Sequence, residues 1–224
     1  MDTVLKIVFE VEEEELVTPD RKINRQTLDL VAMVLTNFMN SQKQVILVSA
    51  GAIAAGVEKI GLNEYPQTLL EKQAVAAIGQ VELIRRYQNI FDLYNQMIGQ
   101  VLIDRSILKN HKRQTNAKNT FDKLLKLNVI PIINENDVTS TDDIVEEDNY
   151  PLTAIVANIV KANILIQLNE DFSFNVIEQS KKQIKRFGNK NELFDYIDSY
   201  ACEVLKEEKQ VLFPYTMDDY IPAK

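Results

Sequence analysis

Short apolar runs rich in β-branched residues alternate with longer segments whose apolar positions recur at helical spacing, and this alternation constrains the fold more than any other feature. "VLKIVFEV" reads as a strand. "NRQTLDLVAMVLTNFMN" follows as a helix, with Leu28, Val31, Leu35 and Phe38 on one side behind an Asn24 cap. "QVILVS" is almost uninterruptedly apolar, as expected of a strand covered on both faces. The long "TLLEKQAVAAIGQVELIRRYQNIFDLY" is helical, "MIGQVLI" a strand, "NAKNTFDKLLKLN" a helix, "VIPII" a strand, "PLTAIVANIVKAN" a helix and "ILIQL" a strand. The order βαβαβαβαβ predicts one doubly wound α/β domain with a mainly parallel central sheet. After about residue 171 the chain becomes more charged, and offers one amphipathic helix over 192–206 and a closing strand over 210–213.

With 224 residues, 46% of them hydrophobic, the chain can bury a sizeable core. A formal net charge of -8 disfavours nucleic acid as a partner, because affinity for phosphates comes from Lys and Arg displacing counterions. The single cysteine, Cys202, permits no internal disulfide, and the first residues lack the basic start and apolar run of a secretory signal. No apolar stretch approaches the roughly 20 residues that span a bilayer. The expectation is a soluble cytoplasmic protein without membrane partners.

In open α/β sheets ligands bind beyond the carboxyl ends of the strands, so the residues just after each strand carry the interest. Those are Phe9, Glu10 and the glutamates at 12–15; "SAGAIAAG" at 49–56; "NENDVTSTDDIVEEDN" after the fourth strand; and "NEDFSF" after the fifth. Gly51 and Gly56 let backbone N–H groups approach a ligand at a helix start, or let a helix pack tightly on a sheet; both readings stand. Asn134, Glu135, Asn136 and Asp137 suit a turn, and equally suit a small zwitterion, carboxylate to ammonium and amide to carboxylate.

Several of these segments, in order, resemble glutamate 5-kinase of the amino acid kinase superfamily, over about residues 4–168. "ILVSAGAIAAGVEKIGL" is similar to that family's glycine/serine turn, "KQAVAAIGQVELIRRY" to its KQ…A-x-G-Q helix and "NAKNTFDKLL" to its N-A-R/K-[DN]-T segment. "VIPIINENDVTSTDDI" resembles its glutamate loop and "DNYPLTAIVA" its G-D-N-D-x-L-S-A stretch. The resemblance implies an αβα three-layer sandwich, the amino acid kinase-like fold, and phosphorylation of the γ-carboxylate of L-glutamate by Mg and ATP on the way to proline. Carried over, it places amino acid substrate at Ala50, Gly51, Ala52, Asn134, Asp137, Asp148 and Asn149, with Asp137 taking the ammonium; Ala50 stands where the family has serine.

The nucleotide half departs from the family. Its first strand ends K-[VLI]-G-[ST]-S; matching the lysine to Lys6, as the retained catalytic residue, puts Val8, Phe9 and Glu10 on the glycine and hydroxyls of the phosphate cradle. Valine and phenylalanine resist the positive φ and close approach that glycine supplies. The glutamates at 12–15 either add repulsion, on the order of 4 kcal/mol per like-charge pair at about 4 Å and an effective dielectric near 20, or form a solvated loop. Tyr150 replaces the last aspartate of G-D-N-D, "LNEDFSF" replaces T-D-x-x-G-L, and no glycine-rich G-T-G-G-M-x-T-K stretch follows residue 171. Residues 171–224 then read as a shortened remnant of the nucleotide-binding part of a single domain over 1–224, with no C-terminal RNA-modification-type domain. The resemblance therefore places no nucleotide-contacting residue in this chain.

A single histidine, His111, excludes a histidine triad or multi-histidine metal site and reads as a solvated helix residue. Cys202 is expected as a small core residue, and Lys109, Lys112 and Arg113 as a solvated basic face. Asp142, Asp143, Glu146, Glu147 and Asp148 are expected to stay solvated rather than to bind metal. The favoured expectation is a glutamate 5-kinase-like pseudoenzyme retaining a pocket for L-glutamate or L-proline, alone as a homo-oligomer or beside an active paralogue. The rivals are an active kinase with a rebuilt nucleotide site and a structural subunit with no ligand.

Overall fold

The computed structural model of the protein describes residues 4–139, 152–178 and 184–207. In chain order the elements are β1 (Lys6–Val11), the single turn α1 (Glu13–Leu16), α2 (Arg25–Asn40), β2 (Gln44–Ser49), α3 (Ala52–Ile60) and α4 (Leu69–Asp92). β3 (Ile98–Ile103), a 3-10 turn (Arg105–Lys109), α5 (His111–Lys126), β4 (Ile130–Glu135) and α6 (Leu152–Val160) follow. The chain continues with β5 (Ile164–Leu168), β6 (Phe174–Glu178), β7 (Ile184–Phe187) and α7 (Lys190–Glu207). They form one seven-stranded sheet of order β3-β4-β2-β1-β5-β6-β7. The first five of these run parallel, and β6 and β7 add antiparallel to β5.

Alternation along each strand sends side chains to two separate cores. On one face Ile7, Phe9, Val45, Leu47, Ile132 and Ile166 meet α2, α4 and α7. On the other Val8, Ile46, Val48, Ile133 and Leu165 meet Phe121 and Leu125 of α5 and Ile155, Val156 and Val160 of α6. The result is the three-layer αβα sandwich expected, with a mainly parallel sheet. Each fully buried Ile, Leu or Phe contributes about 1.5–3 kcal/mol by leaving water. Helix starts are fixed locally: Asn24 accepts from the N–H groups of Gln26 and Thr27, and Thr68 with Glu71 forms a reciprocal capping box.

Several expectations need correction. β1 continues to Val11, so Val8 and Phe9 are fully buried strand interior and not turn residues; the Phe9 ring meets Phe174 edge-on at 6.3 Å. "FNVIE" and "IKRF" form a hairpin that the sequence reading leaves as loop. α5 begins at His111, whose side chain is exposed as expected. Cys202 is exposed, not core. α7 buries Leu193, Ile197 and Tyr200, and Cys202 lies about 200° around the helix from Tyr200. The strand expected over 210–213 lies outside the described residues.

Candidate functional site

The carboxyl ends of the neighbouring strands β1, β2 and β4 bring three turns to one edge of the sheet. After β2, Gly51 adopts φ 94° and caps α3. A Cβ there would lie 2.6 Å from Leu16 Cδ2, so both the backbone sign and the contact with α1 require glycine. Gly56 serves packing instead, since its missing Cβ lets α3 cross α4, where Val75 O would otherwise be 2.2 Å away. Of the two readings of "SAGAIAAG", the turn belongs to Gly51 and the tight packing to Gly56. Ala50 and Ala52 flank the turn, with Ala52 buried as the first residue of α3.

At the carboxyl end of β4, Asn134 is 9% exposed; its Oδ1 accepts from the Glu135 N–H at 2.7 Å, and its Nδ2 is buried without a protein partner. That amide lines a small space with Ser49, Gln80, Tyr87 and Gln100. Ser49 Oγ and Tyr87 OH are hydrogen-bonded at 2.9 Å, and burial raises the Tyr87 phenol well above its ordinary range. Next to it a cavity of about 320 Å³ is lined by Gln80, Gln100, Glu135, Asn136 and Asp137, with Val81, Leu102 and Val138 at its apolar side. Gln80, which in the sequence is one residue of the long α4 motif with nothing to mark it out, ties the site together: its Nε2 donates to Glu135 O at 3.3 Å and its Oε1 accepts from Gln100 at 3.2 Å.

Asp137 is half-buried, and its carboxyl is pushed up by burial, opposed by a hydrogen bond from Gln80 and reinforced by the charges of Glu135 and Glu13. Such a carboxylate gains most from an ammonium brought to it. Arg105 approaches Glu135 at 3.3 Å. Asn134, Asp137 and the 50–52 turn therefore lie at one edge of the sheet. Asp148 and Asn149 lie outside the described residues, as do Tyr150 and the acidic positions 142, 143, 146 and 147.

Lys6 is elsewhere. It opens β1 at the amino end of the sheet, where its Nζ meets Asp122 Oδ1 at 3.0 Å. Five residues of strand, about 16 Å, separate it from the edge where the turns converge. Lys6 therefore stands at the opposite end of β1 from the converging turns. The carboxyl end of β1 is acidic instead. Glu10, 4% exposed, accepts from Thr153 Oγ1 and from Gln167 Nε2, the latter at 2.6 Å. Glu12 is pushed up to about 7 by desolvation, then by the charge of Glu10 and a hydrogen bond to it, and further by Glu14 and Glu15. Glu13 accepts from Tyr65 OH at 3.1 Å, and Glu15 Oε2 is buried without a partner. Burial raises both of these carboxyls, so the run is not simply a solvated loop. Among the described residues no group of three or more His, Cys, Asp or Glu could hold a metal ion, and no helix is long and apolar enough to cross a membrane.

A sequence model of the amino acid kinase family matches residues 15–170, beginning after β1 and ending before the β6–β7 hairpin. The chain is similar to the glutamate 5-kinase of Enterococcus faecalis, 38% identical over 193 residues, covering 84% of this chain and 71% of that protein. Likewise, it is 43% identical over 169 residues to the glutamate 5-kinase of Lactiplantibacillus plantarum, covering 74% of this chain and 64% of the relative. It is also 38% identical over 202 residues to that of Clostridium tetani, covering 90% and 73%. Among solved structures, a UMP kinase from Bacillus anthracis gives a TM-score of 0.44 at 10% identity over 73% of this chain and 64% of that one, too low a likeness to bear on function. With the family match spanning most of its length and relatives of that name at this identity, the chain belongs to the glutamate 5-kinase family of the amino acid kinases.

Proposed function

We propose that this glutamate 5-kinase-like protein, related to proline biosynthesis, binds L-glutamate or L-proline at the edge of β2 and β4 and no longer transfers phosphate. One observation carries the reading: the turn after β1 presents four consecutive glutamates and no glycine, with the Glu12 carboxyl pushed up to about 7 by burial and by its neighbours. The residues present do not fit ATP and Mg there. A polyphosphate needs convergent N–H groups and cations, and here it would meet carboxylates already repelling one another. The amino acid side keeps its parts: Asp137 for an ammonium, the unpaired Asn134 Nδ2 for a carboxylate, and the Gly51 turn beside them.

The identity to proteins named glutamate 5-kinase favours the second reading, an active kinase using another nucleotide site. Trapping glutamyl phosphate as its hydroxamate decides between them: turnover no greater than the no-enzyme control supports the first, and ATP-dependent hydroxamate supports the second. In the favoured reading residues 171–224 are the shortened remnant of the nucleotide-binding part, and the protein works in the cytoplasm as a binding partner or homo-oligomer.

A further inference from the structure

Three elements meet near the carboxyl end of β1 and close on one side chain. Glu10 points to the same face as Val8, into the layer where Ile46, Val48, Ile133 and Leu165 meet α5 and α6, and it is buried there. A carboxyl group in an apolar layer costs free energy unless its oxygens are met. Here both oxygens are met. Oε1 accepts from the hydroxyl of Thr153, the second residue of α6 and itself 2% exposed, and Oε2 accepts from Gln167 Nε2 on β5 at 2.6 Å. Neither donor is charged, and among the described residues no lysine or arginine forms an ion pair with Glu10. Further attraction comes from the first turn of α6, a helix of nine residues whose N-terminus carries the positive end of its dipole.

Two neutral donors and a helix start around a pair of acceptor oxygens make a set suited to a small oxyanion. We propose that Glu10 is the tethered occupant of a buried oxyanion site formed by Thr153, Gln167 and the start of α6, and that its carboxyl group keeps free oxyanions, carboxylate or phosphoryl, out of that site. The inference rests on the reading above that no polyphosphate settles beyond β1, and it supplies a second cause. The glutamates at 12–15 repel a polyphosphate, whereas Glu10 takes up the donors that would receive one. Tethering makes the occupancy hard to displace, because a group carried on the adjoining strand loses no translational freedom when it enters the site. Shortening the side chain frees the donors. Glu10→Ala deletes a methylene and a carboxyl group, nearly the atoms of an acetate ion, and leaves Thr153 and Gln167 in place.

The test compares melting temperatures of Glu10→Ala and the wild type in sodium acetate, sodium phosphate and sodium chloride at one ionic strength. It is run at pH 6, where Glu12, pushed up to about 7, is mostly protonated and does not repel the added anion. Acetate or phosphate is expected to raise the melting temperature of Glu10→Ala saturably, by about 3 °C or more near 0.1 M, and to leave the wild type at its chloride value. Glu10→Gln, which fills the space, is expected to behave as the wild type does. Adding Thr153→Val to Glu10→Ala is expected to abolish the response. If Glu10→Ala does not hold its fold in chloride, recovery of its helical circular dichroism in acetate or phosphate becomes the readout. A Glu10→Ala protein that responds to neither anion more than the wild type, or that stays unfolded in all three salts, would overturn the proposal. So would a response that survives Thr153→Val. Heat from Mg·ATP with the wild type would instead remove the nucleotide reading and leave the anion response of Glu10→Ala as it stands, so the two fail separately.

Discussion

Glu10 on β1 accepts a hydrogen bond from Gln167, its register partner on β5, at 2.6 Å, so that a carboxyl group is held buried near the carboxyl end of the sheet. Removing the donor leaves a buried acceptor short of a partner. Gln167→Leu is expected to lower unfolding stability by about 1–3 kcal/mol in urea titrations. Glu10→Gln should be tolerated better, because an amide keeps the hydrogen-bonding shape without the buried charge.

Gly79 on α4 faces Ala52 on α3 so closely that an added Cβ would stand 1.7 Å from Ala52 O and 2.6 Å from Gly56 N. Backbone atoms on two helices cannot yield that distance without separating. Gly79→Ala is expected to cost about 3 kcal/mol or more, read by thermal or denaturant unfolding, and to disturb the Gly51 turn through α3. Gly61→Ala, which meets nothing within 4 Å but holds φ 70°, should cost only about 1 kcal/mol.

Two carboxylates set opposite slopes in the stability profile. Glu82 is held down to about 2, chiefly by Arg85 against the effect of burial, with Arg86 and Lys59 assisting. Its contribution is present above its ordinary value of 4.5 and is lost as pH falls from there toward about 2. Glu12 is raised from 4.5 to about 7, so the native state holds its proton longer and stability falls as pH rises through that interval. Glu12→Gln is expected to raise the melting temperature at pH 8 and to change it little at pH 4. Its exposure keeps the gain below about 1 kcal/mol. Melting curves at the two pH values check the sign.

Asp137 and Lys6 should separate cleanly in binding. Asp137→Asn removes the carboxylate offered to an ammonium and is expected to weaken amino acid binding about tenfold or more in calorimetric titration. Lys6→Ala breaks a partly exposed ion pair with Asp122 at the far end of β1. It is expected to cost at most about 1 kcal/mol of stability and to leave amino acid affinity unchanged.

Five strands and the helices around them were legible because β-branched runs in a doubly covered sheet are almost continuously apolar, as "QVILVS" and "ILIQL" are. The same continuity hid where strands end. "VLKIVFEV" carries no mark of where its carboxyl end falls, and β1 runs on to Val11, past the Phe9 and Glu10 that the sequence sets just after the strand. The β6 strand was not legible, because the sequence "FNVIE" puts Ile177 on the half-buried side and a charged residue, Glu178, on the buried one. Cys202 shows the limit of reading a helix face from its neighbours: Leu193, Ile197 and Tyr200 set the buried stripe, and Cys202 falls outside it. Of the amino acid site, Gly51, Asn134 and Asp137 were legible as residues after strands, whereas Gln80 reaches them from the middle of α4 and only packing reveals it.

Titration of the wild-type protein with Mg·ATP, alone and after saturation with L-glutamate, is the sharpest test of whether the nucleotide site has been lost. Heat is expected from the amino acid and none from Mg·ATP in either state. A saturable Mg·ATP isotherm would contradict that loss, because the glutamates that follow β1 would then have to accommodate a polyphosphate.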